Sequence, residues 1–351
     1  MNWIYFQCQI HGCPQNMTSS LNQTYDVDET SINPYFMAVY SLVFLVGLLL
    51  NGFTLKVYLC RDWPRVSNSL MVYLKNLTAA DFLLCLCLPL RITYYASSSP
   101  IIRRLYCSFG ASALFINMYA SILFMGYVAA NRYLRIIHPS GTHMLQTVQT
   151  ARIISVITWV FLLAPTVVYV IIFFSSQKPL TFNPTRCVHL FTPSVSLLFR
   201  ILHTFSAIIF LLVFISLVFF YYSISRRVLQ AQQTQLASSG TEKLLKSRRN
   251  MLVLVSIFCV CFVPYHLVRL PFVFLWSDDS VGPVLFYLKE VTTMVSVFNI
   301  CLDPLVYFFL SNTFWDKVRK ARAQHTTRNK ENESRRDKLD IITLEPVTST
   351  S

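Results

Sequence analysis

Seven long apolar runs, at residues 35–59, 70–94, 105–137, 153–174, 197–223, 251–274 and 284–310, most narrow what this chain can fold into. Each exceeds the roughly 20 residues with which a helix crosses a hydrocarbon core of about 30 Å. A soluble helix of that length shows a polar face, whereas the polar residues inside these runs are few and isolated. Lipid supplies no hydrogen bonds, so each run must close its backbone bonds on itself, as a helix does. The fold class is therefore all-α: a seven-transmembrane helix bundle, with a short amphipathic eighth helix predicted behind it. Only 13% of the residues are charged and 54% are hydrophobic, which agrees.

A net charge of +14 points toward nucleic acid until its placement is considered. The first 34 residues hold no Lys or Arg but carry Asp26, Asp28 and Glu29. Arg226, Arg227, Lys243, Lys246, Arg248 and Arg249 follow the fifth run, and Lys317, Arg319, Lys320 and Arg322 follow the seventh. The positive-inside rule then puts the amino terminus outside and the carboxyl terminus in the cytosol, as an odd number of crossings requires. The basic residues face anionic inner-leaflet lipid and a cytosolic partner rather than nucleic acid. The predicted organisation is an extracellular segment 1–34, a bundle 35–310, a membrane-surface helix 311–323 and a disordered cytoplasmic tail 324–351, in the plasma membrane. Asn16 and Asn22 head glycosylation sequons on the outer side. Cys107 and Cys187 also fall there, while Cys8 and Cys13 either bridge each other or stay free.

An ionised group deep in a bilayer costs several kcal/mol, which makes Asp81 and Asp303 functional candidates. Ser121 and Asn299 add oxygens at similar depth, and four oxygen-bearing side chains suit a small hard cation, Na⁺ above all; no other cofactor is expected. The alternative is a polar network that packs helices, with one carboxylate protonated. Pro264 and Pro304 interrupt the sixth and seventh runs beside polar residues and mark candidate hinges. Asn131-Arg132-Tyr133 closes the third run at the inner surface.

Taken in order, Asn51 in Leu50-Asn51-Gly52, Leu77 with Asp81, Cys107, Arg132, Trp159, Pro264 and Asn299 with Asp303-Pro304-x-x-Tyr307 resemble the rhodopsin-like class of G-protein-coupled receptors. Phe262 before Pro264 and Asp303 opening the last motif resemble the branch of purinergic and related lipid receptors. Leu74-Lys75-Asn76, Val263-Pro264-Tyr265-His266-x-x-Arg269 and Lys289-Glu290 are similar to its subgroup of nucleotide receptors that answer ADP and UDP-sugars, with its orphan members. The resemblance implies a Cys107–Cys187 disulfide over the bundle mouth. It also implies a heterotrimeric G protein of the inhibitory type meeting Arg132, with Tyr221 and Tyr307 stabilising the opened state. Receptor kinases and arrestin would act on Ser and Thr of the tail.

The outer pocket reads as an anion site. Arg269 lies about 7.5 Å outward of Pro264 at the helical rise, with Lys289 and Arg91 near the outer ends of their runs. Cations converging on a partly dry cavity call for an anion, and an Arg fork suits phosphate. His266, a turn from Arg269, adds a donor, Tyr265 stands beside it, and Phe115 and Tyr119 offer a platform for a base or an acyl chain. The alternative has Arg269 and Lys289 snorkelling outward, with Lys289 on Glu290 or Asp278. The expected ligand is an extracellular anionic small molecule, a nucleotide or nucleotide sugar, with a lysophospholipid as the competing class. Phe115 stands where the subgroup carries tyrosine, and the third outer loop has no cysteine to tie down the amino terminus. Asn131 replaces the family's aspartate, and an amide cannot form the charge-assisted pair that restrains Arg132, which predicts raised basal signalling. No hydrolase, zincin or phosphate-loop motif points to an enzyme. A small-solute transporter or channel is the remaining class, but with eight glycines and no repeat the chain lacks the usual signs of one.

Overall fold

The computed structural model describes residues 15–59, 69–138, 146–176, 187–233, 239–276 and 281–310, and among these every regular element is helical. The helices are α1 (Gln15–Leu59), α2 (Ser69–Ala96), α3 (Pro100–Ile137), α4 (Val148–Ser175), α5 (Pro193–Gln233), α6 (Ser239–Leu275), α7 (Gly282–Val297) and α8 (Asn299–Leu310). Seven of these stretches are long and apolar enough to cross a membrane, α8 continuing the seventh span. Several outrun the apolar runs: α1 begins at Gln15, so Asn16 and Asn22 lie on helical backbone, and α5 and α6 extend to Gln233 and back to Ser239. The expected membrane-surface helix at 311–323, the tail, Cys8 and Cys13 lie outside the described residues. The chain divides after Pro304 into two compact units, and of the second only the helical backbone of α8 is described.

In the first unit α3 is the central stave, packed against α2, α4, α5, α6 and α7, and the ring closes where α7 meets α1. Burial follows: 61% of the apolar window of α3 is inside the bundle, against 22% for α5. Leu45 and Leu49 of α1, Val156 and Val160 of α4 and Leu212 and Ile215 of α5 face outward, while Asn51, Asp81, Asn117, Ser121, Asn299 and Asp303 face inward. This is the arrangement a hydrocarbon solvent selects, apolar without and polar within.

Polar side chains stitch the staves. Trp159 donates to the amide oxygen of Asn76 at 2.9 Å, joining α4 to α2, and Tyr127 meets Thr158 at 3.1 Å between α3 and α4. Pro304 has no N–H to give the carbonyl of Ile300, four residues back. Asn51 of α1 supplies the missing donor, its amide reaching that carbonyl at 2.7 Å. The proline of the seventh span is thus tied to the first helix. The same span breaks at Phe298, where the bonds tighten to the three-residue spacing of Phe298 N to Val295 O and Cys301 N to Phe298 O. By contrast α6 runs unbroken past Pro264 and Pro271. Near its start α3 widens into a π-helical turn at Tyr106–Gly110, a feature the sequence pattern does not announce. Glycine is required there, because a methyl on Gly110 would stand 2.5 Å from a ring carbon of Tyr106.

Candidate functional site

A cavity of about 120 Å³ lies at the end of the bundle that carries the Cys107–Cys187 disulfide, whose Cα atoms are 5.5 Å apart. The bridge fixes the 3-10 turn Cys187–Leu190 to α3, and Cys187 and Val188 form part of the cavity wall. Of the residues proposed to hold a ligand, Arg91, Phe115, Tyr265, Arg269 and Lys289 line this cavity. His266 and Tyr119 do not: they bond each other at 3.0 Å, with the His266 ring stacked on Phe210 at 3.8 Å between centroids. Three helical residues correspond to about 300°, so His266 is turned some 60° away from Arg269, enough to set it behind the wall.

The cations of the cavity are not equivalent. Glu290, 6% exposed, accepts from Arg91 at 2.9 Å and from Tyr95 at 2.5 Å, and also from Lys289. Arg91 donates as well to the Tyr106 hydroxyl, with its guanidinium 4.6 Å from the centre of the Tyr40 ring. Two of the three cations therefore share one buried carboxylate. Pairing of Lys289 with Glu290 is the alternative the sequence leaves open; that Glu290 also neutralises Arg91 is not legible there. Arg269 stands apart, with no carboxylate partner among the described residues. It bonds Nε2 of His203 at 3.0 Å and lies over the rings of Phe199, Phe272 and Tyr265 at 5.1, 5.6 and 5.8 Å. Leu114, Phe191, Leu202 and Phe286 make much of the remaining wall apolar.

A second polar layer crosses the middle of the bundle. Asp81 and Asp303 are both 0% exposed and are electrostatic neighbours. Asn117 donates to one Asp81 oxygen at 3.1 Å, and Asn299 donates to the Ser121 hydroxyl at 3.0 Å. Asn117 is a site residue beyond those proposed from the sequence; it lies four residues before Ser121, one turn away on the same face, which is the signal that finds it. This donor set is hard and oxygen-rich, and two buried like charges require a cation or a proton between them.

Toward the other end, Asn131 donates to the Ser69 hydroxyl at 2.8 Å and accepts from Nε of Arg135 at 3.0 Å. Tyr133 stacks on Phe220 at 4.8 Å, and Phe262, fully buried, meets Phe258 edge-on at 5.3 Å. Arg132 is half-buried, as is Tyr221 on α5. The side chain of Tyr307 lies outside the described residues.

Seven membrane-crossing helices, a disulfide-tethered wall over a cavity at one end and an Asn-Arg-Tyr turn toward the other define a receptor scaffold. The sequence profile described as 7 transmembrane receptor (rhodopsin family) matches residues 51–307. Purinoceptor 14 of Bos taurus is 30% identical over 311 residues, covering 87% of this chain and 90% of its own. Purinoceptor 13 of Homo sapiens is 29% identical over 322 residues, 90% of this chain and 89% of its own. G-protein coupled receptor 87 of Mus musculus is 29% identical over 281 residues, 79% and 76% respectively. The chain belongs to the rhodopsin family of seven-transmembrane receptors, in its purinoceptor-like branch. It is a multi-pass membrane protein and a G-protein-coupled receptor with a small-molecule ligand, not an enzyme.

Proposed function

We propose that this receptor answers an extracellular anionic small molecule, a nucleotide or nucleotide sugar, and signals through a heterotrimeric G protein of the inhibitory type. The amino terminus and cavity face the outside, and the Arg132 end faces the cytosol. The observation that carries the reading is Arg269: a cavity-lining guanidinium flanked by aromatic rings and without a carboxylate partner among the described residues. Bidentate phosphate binding is the task that geometry suits, with Lys289 on the neighbouring helix, 5.2 Å from the same Phe272 ring, and Phe115 offering a face to the base. Two relatives bear the name purinoceptor, which agrees. The apolar wall of Leu114, Phe191, Leu202 and Phe286 favours a second reading, a lysophospholipid whose phosphate meets the same arginine.

Agonist-stimulated nucleotide exchange on purified inhibitory G protein tests both, with nucleotides, nucleotide sugars and lysophospholipids as the screen. Arg269→Ala is expected to lower potency about 10- to 150-fold, since a charged hydrogen bond is worth about 1.5–3 kcal/mol. Lys289→Ala is expected to cost less, because Glu290 already holds that ammonium. Unchanged potency in Arg269→Ala would mean that the anion binds elsewhere.

Na⁺ fits the central layer, where Asp81, Asp303, Ser121 and Asn299 would hold it and its charge would relieve the two carboxylates. A tenfold excess over the dissociation constant stabilises the resting fold by about 1.4 kcal/mol. Thermal unfolding in sodium against choline chloride should show that gain in the wild type and none in Asp81→Asn. Equal gains in the two would assign the layer to helix packing.

A further inference from the structure

Two histidines lie near Arg269, and only His203 lines the cavity. It stands on α5, 8% exposed, with Nδ1 2.9 Å from the Phe199 carbonyl and Nε2 3.0 Å from Nη2 of Arg269. A carbonyl only accepts and a guanidinium only donates, so these neighbours fix the ring. The proton is on Nδ1, the lone pair on Nε2, and the imidazole is neutral. A second proton on Nε2 would set donor against donor and cation against cation, beside Phe115 and Phe199 whose rings lie 5.7 and 4.1 Å away. The resting cavity therefore opposes it.

An anion on Arg269 reverses that preference. Its oxygens take over the guanidinium protons, and Nε2 loses its donor while gaining an acceptor for a proton of its own. We propose that His203 is a proton-operated part of the anion site: neutral against Arg269 at rest, protonated against the bound anion, so that binding takes up one proton and tightens in acid. The inference rests on the reading of Arg269 as the anion site. It makes His203, absent from the sequence-derived site, a binding residue for ligands whose anionic group is compact enough to touch both side chains.

Other titratable or charged groups around His203 come from every neighbouring stave. They are Tyr265, His266 and Arg269 on α6, Tyr106 and Tyr119 on α3 and Tyr169 on α4, with Arg91, Lys289 and Glu290 across the cavity. Among them His266 is the one other imidazole. Its Nδ1 faces the Phe262 carbonyl at 2.8 Å and its Nε2 the Tyr119 hydroxyl at 3.0 Å. His266 stands behind the cavity wall with both ring nitrogens already partnered, so an anion on Arg269 gains no bond from it.

Sulfate is the probe, because it stays doubly charged where imidazole titrates. Full-length receptor in nanodiscs is unfolded thermally over a sulfate series, with chloride matching the ionic strength, from about pH 8 to about pH 5.5. The wild type is expected to bind sulfate more tightly as the pH falls, by up to about tenfold per pH unit for one linked proton. His203→Gln is expected to lose the tightening in acid and to show a flat profile; His266→Gln keeps the slope. A flat wild-type profile overturns the proposal without any variant, and so does a slope that survives in His203→Gln or vanishes in His266→Gln. Sulfate affinity unchanged in Arg269→Ala, or no sulfate stabilisation at any pH, would instead remove the anion site and the proton link together.

Discussion

Glu290→Gln is expected to destabilise the receptor by about 3–5 kcal/mol, the usual cost of removing one partner from a buried ion pair. The substitution keeps the shape of the side chain and can still accept from Tyr95, so packing is not what changes. What changes is that the buried Arg91 and the partly buried Lys289, both gathered on this carboxylate, are left as two cations with no counter-charge at that point. The Tyr40, Tyr95 and Tyr106 rings around Arg91 supply only the weaker attraction of π-faces. Thermal unfolding in detergent measures the loss. Adding Lys289→Met to Glu290→Gln should recover part of it, since one stranded charge then goes, and the double-mutant cycle gives the coupling. The same loss should make the cavity a better anion sink, so sulfate should stabilise Glu290→Gln more than the wild type. A variant as stable as the wild type, with no added response to sulfate, would show that Glu290 is not the counter-charge of this pocket.

The spans are legible in the sequence because their cause is local: lipid offers no hydrogen bonds, and any run long and apolar enough to cross must be a helix. The markers that depend on one residue in one helix, such as Trp159, Asn51 and the Cys107–Cys187 pair, appear in the structure with their partners in place. Partnerships are harder. Nothing near Arg91 in the chain announces Glu290, which lies 199 residues away, nor does anything near Arg269 announce His203, 66 residues earlier. A single polar residue in an apolar helix looks the same whether it faces a cavity or a neighbouring stave. His266 shows how fine the margin is, because a rotation of some 60° separates the ligand wall from a bond with Tyr119. Helical phase is read well over many turns of alternating polarity, and a membrane helix supplies almost none.

Asn131→Asp is expected to lower ligand-free G-protein turnover by about 2- to 30-fold, through the contacts that hold this side chain. Among the described residues the neutral Asn131 amide donates to Ser69 on α2 and accepts from Arg135 one turn along α3. A carboxylate in its place accepts from guanidinium with charge on both sides of the bond. Such a bond is worth about 1.5–3 kcal/mol where an ordinary one is worth about 1. Arg135 already donates to that position, Arg132 is its neighbour in the chain, and the Ser69 hydroxyl can reverse and donate as well. If that gain applies to the resting arrangement alone, the ratio of resting to active receptor rises by the same free energy. Basal exchange on purified G protein reads the ratio directly. Repeating the measurement in Asn131→Asp with Arg135→Ala separates the two arginines: an effect that persists belongs to Arg132, and one that disappears belongs to Arg135. Basal turnover equal to or above that of the wild type would mean that the turn at Asn131 does not set the resting equilibrium, and the restraint on the cytosolic end would then have to lie in α6 or in the seventh span.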